Sequence, residues 1–190
     1  MISEPVNKLE LRRLFLHKRQ SMSLNDWQEK SDRICSHLQA SSQFIQAKTI
    51  LSYISFRQEP DLSKLLTAKN WGLPRCIDKS LVWHQWQPGN ATQIGMYGIL
   101  EPLACAPLIK PNEVDLILVP AVACDVRGYR LGYGGGFYDR LLSSVEWKSK
   151  PTIGVVFDFA YLPQLPSEAW DIPLHSVCTE TGLKVINKIF

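Results

Sequence analysis

The chain is 190 residues long, 45% hydrophobic and 21% charged, a balance that suits one folded domain with a sizeable core and excludes a disordered chain. A net charge of +3 is too small to argue for a nucleic-acid partner, though it suits a small polyanion. Five cysteines, none in a C-x-x-C pair, argue against a disulfide or metal framework; with no apolar signal core and no membrane-length segment, the expectation is a cytoplasmic protein with reduced thiols.

Residues from about 4 to 40 have helical spacing of apolar positions, interrupted near 23–26, which predicts two helices capped at the break by Ser23 or Asn25. The first helix carries Lys8, Arg12, Arg13, Lys18 and Arg19. Lys8 and Arg12, four apart, share a face that is either a solvated basic stripe or a pair of cations reaching a phosphate chain. Residues 49–55 read as a strand that leads into a polar loop holding Glu59. Glu59 is either a surface carboxylate or, past the carboxyl end of a strand, a ligand contact. Residues 62–70 read as a helix capped by Asp61, 71–78 as a short strand and 81–86 as another, with a turn at 87–90. Residues 94–110 show no clear periodicity. Trp83, Trp86 and Tyr97 are core residues or the lining of a pocket for a flat heterocycle. His84 and His175 read as surface or packing residues.

The stretch from Val114 to Leu142 organises the rest. A buried-strand run at 116–119 leads through a turn-rich connection to Gly132-Tyr133-Gly134-Gly135-Gly136, and helical spacing resumes at Phe137. Strand, glycine loop and helix start together form an anion site, because glycine lets backbone N–H groups approach an anion. No Gly-Lys-Ser/Thr follows, and the glycine spacing does not match the dinucleotide fingerprint. A glycine hinge is the other reading, but Arg127, Arg130, Asp139 and Arg140 flank the cluster, as a nucleotide–magnesium site requires. Residues 151–158 predict a strand, 161–170 a loop, and 176–180 a last strand or edge; Asp171 is a second candidate acid for the metal. Alternation of helix and strand argues for a layered α/β domain with a mostly parallel sheet and helices on its faces, with no linker to divide residues 1–190.

Several of these pieces together resemble one family. The run from Val119-Pro120 through Asp125, Gly128, Arg130 and Gly132–Gly136 to Asp139-Arg140 resembles the signature of the 5-formyltetrahydrofolate cyclo-ligases. Lys8-x-x-Leu11-Arg12, Tyr53 with Glu59-Pro60-Asp61, Tyr97-Gly98-Ile99-Leu100-Glu101-Pro102 and the stretch from Leu165 to Leu174 are similar to the family's other blocks, in order.

The resemblance implies a single-domain three-layer α/β sandwich, Rossmann-like. It also implies ATP-dependent cyclisation of 5-formyltetrahydrofolate to 5,10-methenyltetrahydrofolate, with ADP and phosphate released. By the same resemblance, Lys8, Leu9, Glu10, Leu11 and Arg12, with Arg130, Leu131, Gly132, Tyr133, Gly134, Gly135, Gly136, Phe137 and Tyr138, match the ATP-binding blocks, and Arg130 and Lys8 are the expected catalytic cations. Asp139 and Asp171 match the Mg²⁺-associated acids; Ile54 and Glu59 match folate contacts, and Tyr97 is placed to stack on the pterin. The expected partner is the folate alone, with or without a polyglutamate tail, bound by a monomer. A non-catalytic nucleotide- or folate-binding module, and a sugar-phosphate isomerase or CoA-transferase on a related fold, are the competing expectations.

Overall fold

Local signals set the first helices of the computed structural model, which describes residues 7–67 and 69–186. Asn7 and Glu10 close a reciprocal capping box on α1 (Lys8–Gln20). Ser23, rather than Asn25, accepts from the Asp26 amide and caps α2 (Leu24–Ala40). The expected helical start near residue 4 lies outside the described residues. A short α3 (Ser42–Gln46) then leads into β1 (Thr49–Leu51).

Seven strands form the central sheet. In chain order they are β1, β2 (Asn70–Ile77), β3 (Ser80–Trp86), β6 (Leu116–Pro120), β9 (Thr152–Val155), β11 (Ser176–Thr179) and β12 (Gly182–Val185). Their spatial order is β12-β11-β9-β6-β1-β2-β3. Neighbours from β11 to β2 are parallel, while β3 and β12 are antiparallel edges. Alternate residues feed opposite cores. Ile50, Leu116, Leu118, Ile153, Val155 and Cys178 pack with Ile34 and Leu38 of α2 and Phe44 of α3. Leu51, Ile117, Val119 and Val177 pack on the other face with Phe15 of α1 and with Leu141 and Leu142 of α4 (Phe137–Ser143). Burial on both faces explains why the inner strands read as continuous apolar runs. The expected three-layer, mostly parallel α/β architecture is therefore the one observed.

From β1 the chain moves to β2 on one side and then, after β3, to β6 on the other. The carboxyl ends of β1 and β6 thus flank a topological switch point, where the two outgoing loops diverge and leave a crevice. Near it, β7 (Ala123–Asp125), β8 (Arg130–Leu131) and β10 (Tyr161–Leu162) form a small second sheet.

Four expectations need correction. Residues 62–70 are not a helix capped by Asp61: only a 3-10 turn forms at Ser63–Leu65, and Asp61 accepts from the Ser63 amide. Pairing of Asn70, Trp71 and Gly72 with β1 takes the end of that segment into β2, leaving too little for an α-helix. Within residues 94–110, β4 (Thr92–Ile94) and β5 (Leu100–Pro102) form a hairpin turned at Gly98, whose φ is 72°. The stretch 161–170 opens with the two-residue β10. Finally, β11 is not the last strand, because β12 pairs beyond it through a turn at Gly182, φ 137°.

Candidate functional site

Helix α1 lies across the switch point. Positions 8, 12 and 19 fall within about 40° of one another at 3.6 residues per turn. Lys8 reaches Asp171 at 2.7 Å, and Arg12 Nε donates to the Gly132 carbonyl at 2.8 Å. This face is engaged, not a solvated stripe. Within the same block Leu9 is exposed, Glu10 is spent in the capping box and Leu11 packs against the core. Lys8 and Arg12 are therefore the side chains α1 turns toward the glycine loop and the late loop.

The glycine loop is clamped from both sides, which a free hinge would not be. The Arg12 guanidinium lies 3.8 Å from where a Cβ would stand on Gly134, whose φ is 103°. On the far side Arg140 donates to the Gly135 carbonyl at 2.8 Å and to the Lys79 carbonyl at 2.7 Å. A Cβ on Gly136, φ 67°, would come within 2.6 Å of Arg140. Conformation favours glycine at both positions, and at Gly136 the Arg140 guanidinium also leaves little room for a side chain. Because α4 has only seven residues, the loop and its cations, more than a helix dipole, define the cradle.

Behind the loop lie two ion pairs. Arg130, whose side chain is 5% exposed, holds Asp139 at 2.5 Å, and its guanidinium sits over the Tyr138 ring. Partial burial pushes the Asp171 carboxyl up, but the Lys8 and Glu168-amide hydrogen bonds and the charges of Lys8 and Arg130 outweigh it and hold it below its usual range. The two pairs are thus electrostatically linked. The Arg130 Nε and the Tyr138 hydroxyl are buried polar atoms without hydrogen-bond partners. Groups of that kind, at a cation-lined glycine loop, suit an incoming polyanion. Among the described residues no cluster of three or more His, Cys, Asp or Glu could hold a metal by itself. The donor set of Asp139 and Asp171 fits a hard cation that takes its other ligands from water and phosphate oxygens.

On the β1 side, Glu59 is 4% exposed, not a surface carboxylate. Its Oε2 accepts from the Phe56 amide at 3.1 Å. Burial raises its pKa from 4.5 to about 7, opposed by the Arg19 charge and by hydrogen bonds from the Phe56 amide and Tyr133. Tyr133, in the glycine loop, meets the Phe56 ring at 6.4 Å and so joins that loop to the segment that carries Glu59. Ile54 lies half-buried in the loop after β1 that also carries Glu59. Tyr97, at the exposed hairpin tip, meets Phe137 edge-on at 5.7 Å. Trp83 is buried against Tyr138, and Trp86 is half-buried beside the α2-side core, so the two tryptophans are packing residues. His84 is buried with its ring nitrogen on the Ala106 carbonyl, and His175 lies beside the Thr152 hydroxyl.

Two residues at the site carry roles that sequence reasoning did not assign. Arg19 is buried at the switch point; its spacing from Lys8 and Arg12 is the signal that places it there. Asp125, fully buried, accepts from the amides of Arg127, Tyr129 and Leu165 and from the Arg127 guanidinium, and so shapes the turn that delivers Arg130. No spacing rule marks it.

Fold and site together define a doubly wound α/β protein whose cation-lined glycine loop adjoins a buried carboxylate across the switch point. Residues 4–180 match the model of the 5-formyltetrahydrofolate cyclo-ligase family, and the chain belongs to that family. It is 35% identical over 141 residues to a 5-formyltetrahydrofolate cyclo-ligase of Haemophilus influenzae, covering 70% of this chain and 75% of that one. It is 32% identical over 187 residues to one of Mycolicibacterium smegmatis, covering 92% and 94%. It is similar in structure to the 5,10-methenyltetrahydrofolate synthetase of Aquifex aeolicus, with TM-score 0.84, 34% identity, and 95% and 93% of the two chains covered.

Proposed function

We propose that this chain catalyses the ATP-dependent cyclisation of 5-formyltetrahydrofolate to 5,10-methenyltetrahydrofolate, releasing ADP and phosphate. The observation that carries the reading is the junction at Tyr133, where a glycine loop ringed by Arg12, Arg130 and Arg140 meets the buried Glu59. The reaction needs such a junction. A formamide is a poor electrophile, so its oxygen must meet the γ-phosphoryl group before N10 attacks the formyl carbon and phosphate leaves. Both substrates must then be held in line, which is mostly positioning and charge stabilisation.

The geometry supports the following roles. Loop amides of residues 132–136, with Arg12 and Arg130, hold the phosphates. Arg130 and Lys8 exchange their carboxylate partners for phosphate oxygens, and Asp139 and Asp171, so released, would be the residues to hold Mg²⁺. The metal, when bound, neutralises charge on the phosphates. Glu59 accepts from the paired N–H donors of the pterin edge, and Tyr97 with Phe137 offers an aromatic wall. The working unit is a cytoplasmic monomer, in which the five free thiols stay reduced.

Arg130→Ala tests the phosphate assignment. Removing a preorganised cation costs about 10²–10³ in kcat, so steady-state rates with ATP varied should fall on that scale. Wild-type kcat/KM for ATP in Arg130→Ala would overturn it.

A further inference from the structure

Arg19 is 3% exposed, and a buried guanidinium is tolerated only when its donors are satisfied. Each of its acceptors belongs to a different part of the site. Nε donates to the Arg57 carbonyl at 3.0 Å in the loop after β1, and Nη1 to the Ala121 carbonyl at 3.3 Å beyond β6. The second Nη donates to the Tyr133 hydroxyl in the glycine loop. The guanidinium carbon also stands 5.7 Å from the Tyr133 ring centroid.

The loop it grips is strained. Arg57 and Gln58 are consecutive non-glycine residues with φ of 49° and 55°, and Glu59 follows directly. With its carboxamide turned so that nitrogen donates, Gln58 reaches the Arg19 and Gln20 carbonyls at 2.8 and 3.1 Å. Helix α1 therefore holds this loop at the two residues that lead into Glu59. Four ionisable groups surround Glu59: Arg19 from α1 and Tyr133 from the glycine loop lower its pKa, and Tyr53, just past β1, and Tyr138 of α4 lie close enough to feel its charge. Arg19 is the one cation among them.

We propose that Arg19 is a positioning residue that couples the Glu59 loop to the glycine loop, so that occupancy of the nucleotide site sets the geometry of the folate site. The proposal rests on the folate and nucleotide roles given above to Glu59 and the glycine loop. Tyr133 is the moving part. A polyanion in the glycine loop repositions its hydroxyl, Arg19 follows, and the Arg57 carbonyl carries the change to Glu59.

Calorimetry with a non-hydrolysable ATP analogue, with and without 5-formyltetrahydrofolate, reads the coupling directly. The folate should tighten nucleotide binding by about tenfold in the wild type and leave it unchanged in Arg19→Gln. Arg19→Lys keeps the charge but lacks the fork; it should also lose the coupling, and it serves should Arg19→Gln fail to fold. A second readout is the acid limb of kcat/KM for the folate, which reports the free enzyme. The limb should lie near pH 7 in the wild type. It should rise by about one unit in Arg19→Gln, stay close to wild type in Arg19→Lys, and vanish in Glu59→Gln. Equal coupling in wild type and Arg19→Gln, no coupling in the wild type, or an unmoved limb in Arg19→Gln would each overturn the role of Arg19. A limb that persists in Glu59→Gln would instead remove the Glu59 reading, and the proposal with it.

Discussion

Glu59→Gln should stabilise the fold while weakening folate recognition. The buried carboxyl has its pKa raised from 4.5 to about 7. The folded state therefore holds this proton more tightly than the unfolded chain does. The stability this supplies is complete below pH 4.5, and it is lost as pH rises through 7. At about 1.4 kcal/mol per pH unit, the gap between 4.5 and about 7 amounts to about 3 kcal/mol. Glutamine mimics the protonated acid and carries no such term. Urea unfolding of both proteins at pH 5 and pH 8 should show the variant gaining on wild type by up to about 3 kcal/mol between the two. Without the carboxylate the pterin edge loses charge-assisted hydrogen bonds, and kcat/KM for the folate should fall roughly 10²-fold. A stability difference independent of pH would refute the buried-carboxylate reasoning. Unchanged folate kinetics would refute its place in the site.

Other residues give further expectations. Asp125→Asn sets an amide nitrogen against some of the donors that Asp125 now accepts from. Breaking a buried charged network costs about 3–5 kcal/mol, so thermal denaturation should show Tm lower by roughly 10 °C. Asp171→Asn leaves Lys8 without its partner and removes a carboxylate from the proposed cation site. Half-saturating Mg²⁺, titrated at fixed ATP, should rise about tenfold, the effect of losing about 1.4 kcal/mol; an unchanged requirement would take Asp171 out of the site.

Much of this was legible in the sequence because the signals are local or periodic. Ser23 sits where a cap must, and the run 116–119 is continuously apolar because β6 is covered on both faces. The glycine cluster with its flanking charges marked the loop that Arg12 and Arg140 clamp, and Lys8 and Arg12 fall one turn apart. What stayed hidden depends on contacts distant in sequence. Residues 62–67 look helical until β1 claims the next residues as a partner. Glu59 reads as a polar loop residue, and only the packing of α1, β1 and the glycine loop shows it buried. Asp125 and Arg19 carry sequence signals, a signature position and a shared helix face, that say nothing of their partners. Their roles come from amides and carbonyls that the fold collects from far along the chain.

The most direct measurement follows the absorbance of methenyl-folate as 5-formyltetrahydrofolate is mixed with the protein, while ADP is counted in the same samples. Product should form only when ATP and Mg²⁺ are both present, with one ADP formed per methenyl-folate. Product without ATP, or ADP release uncoupled from product, would contradict the proposed reaction.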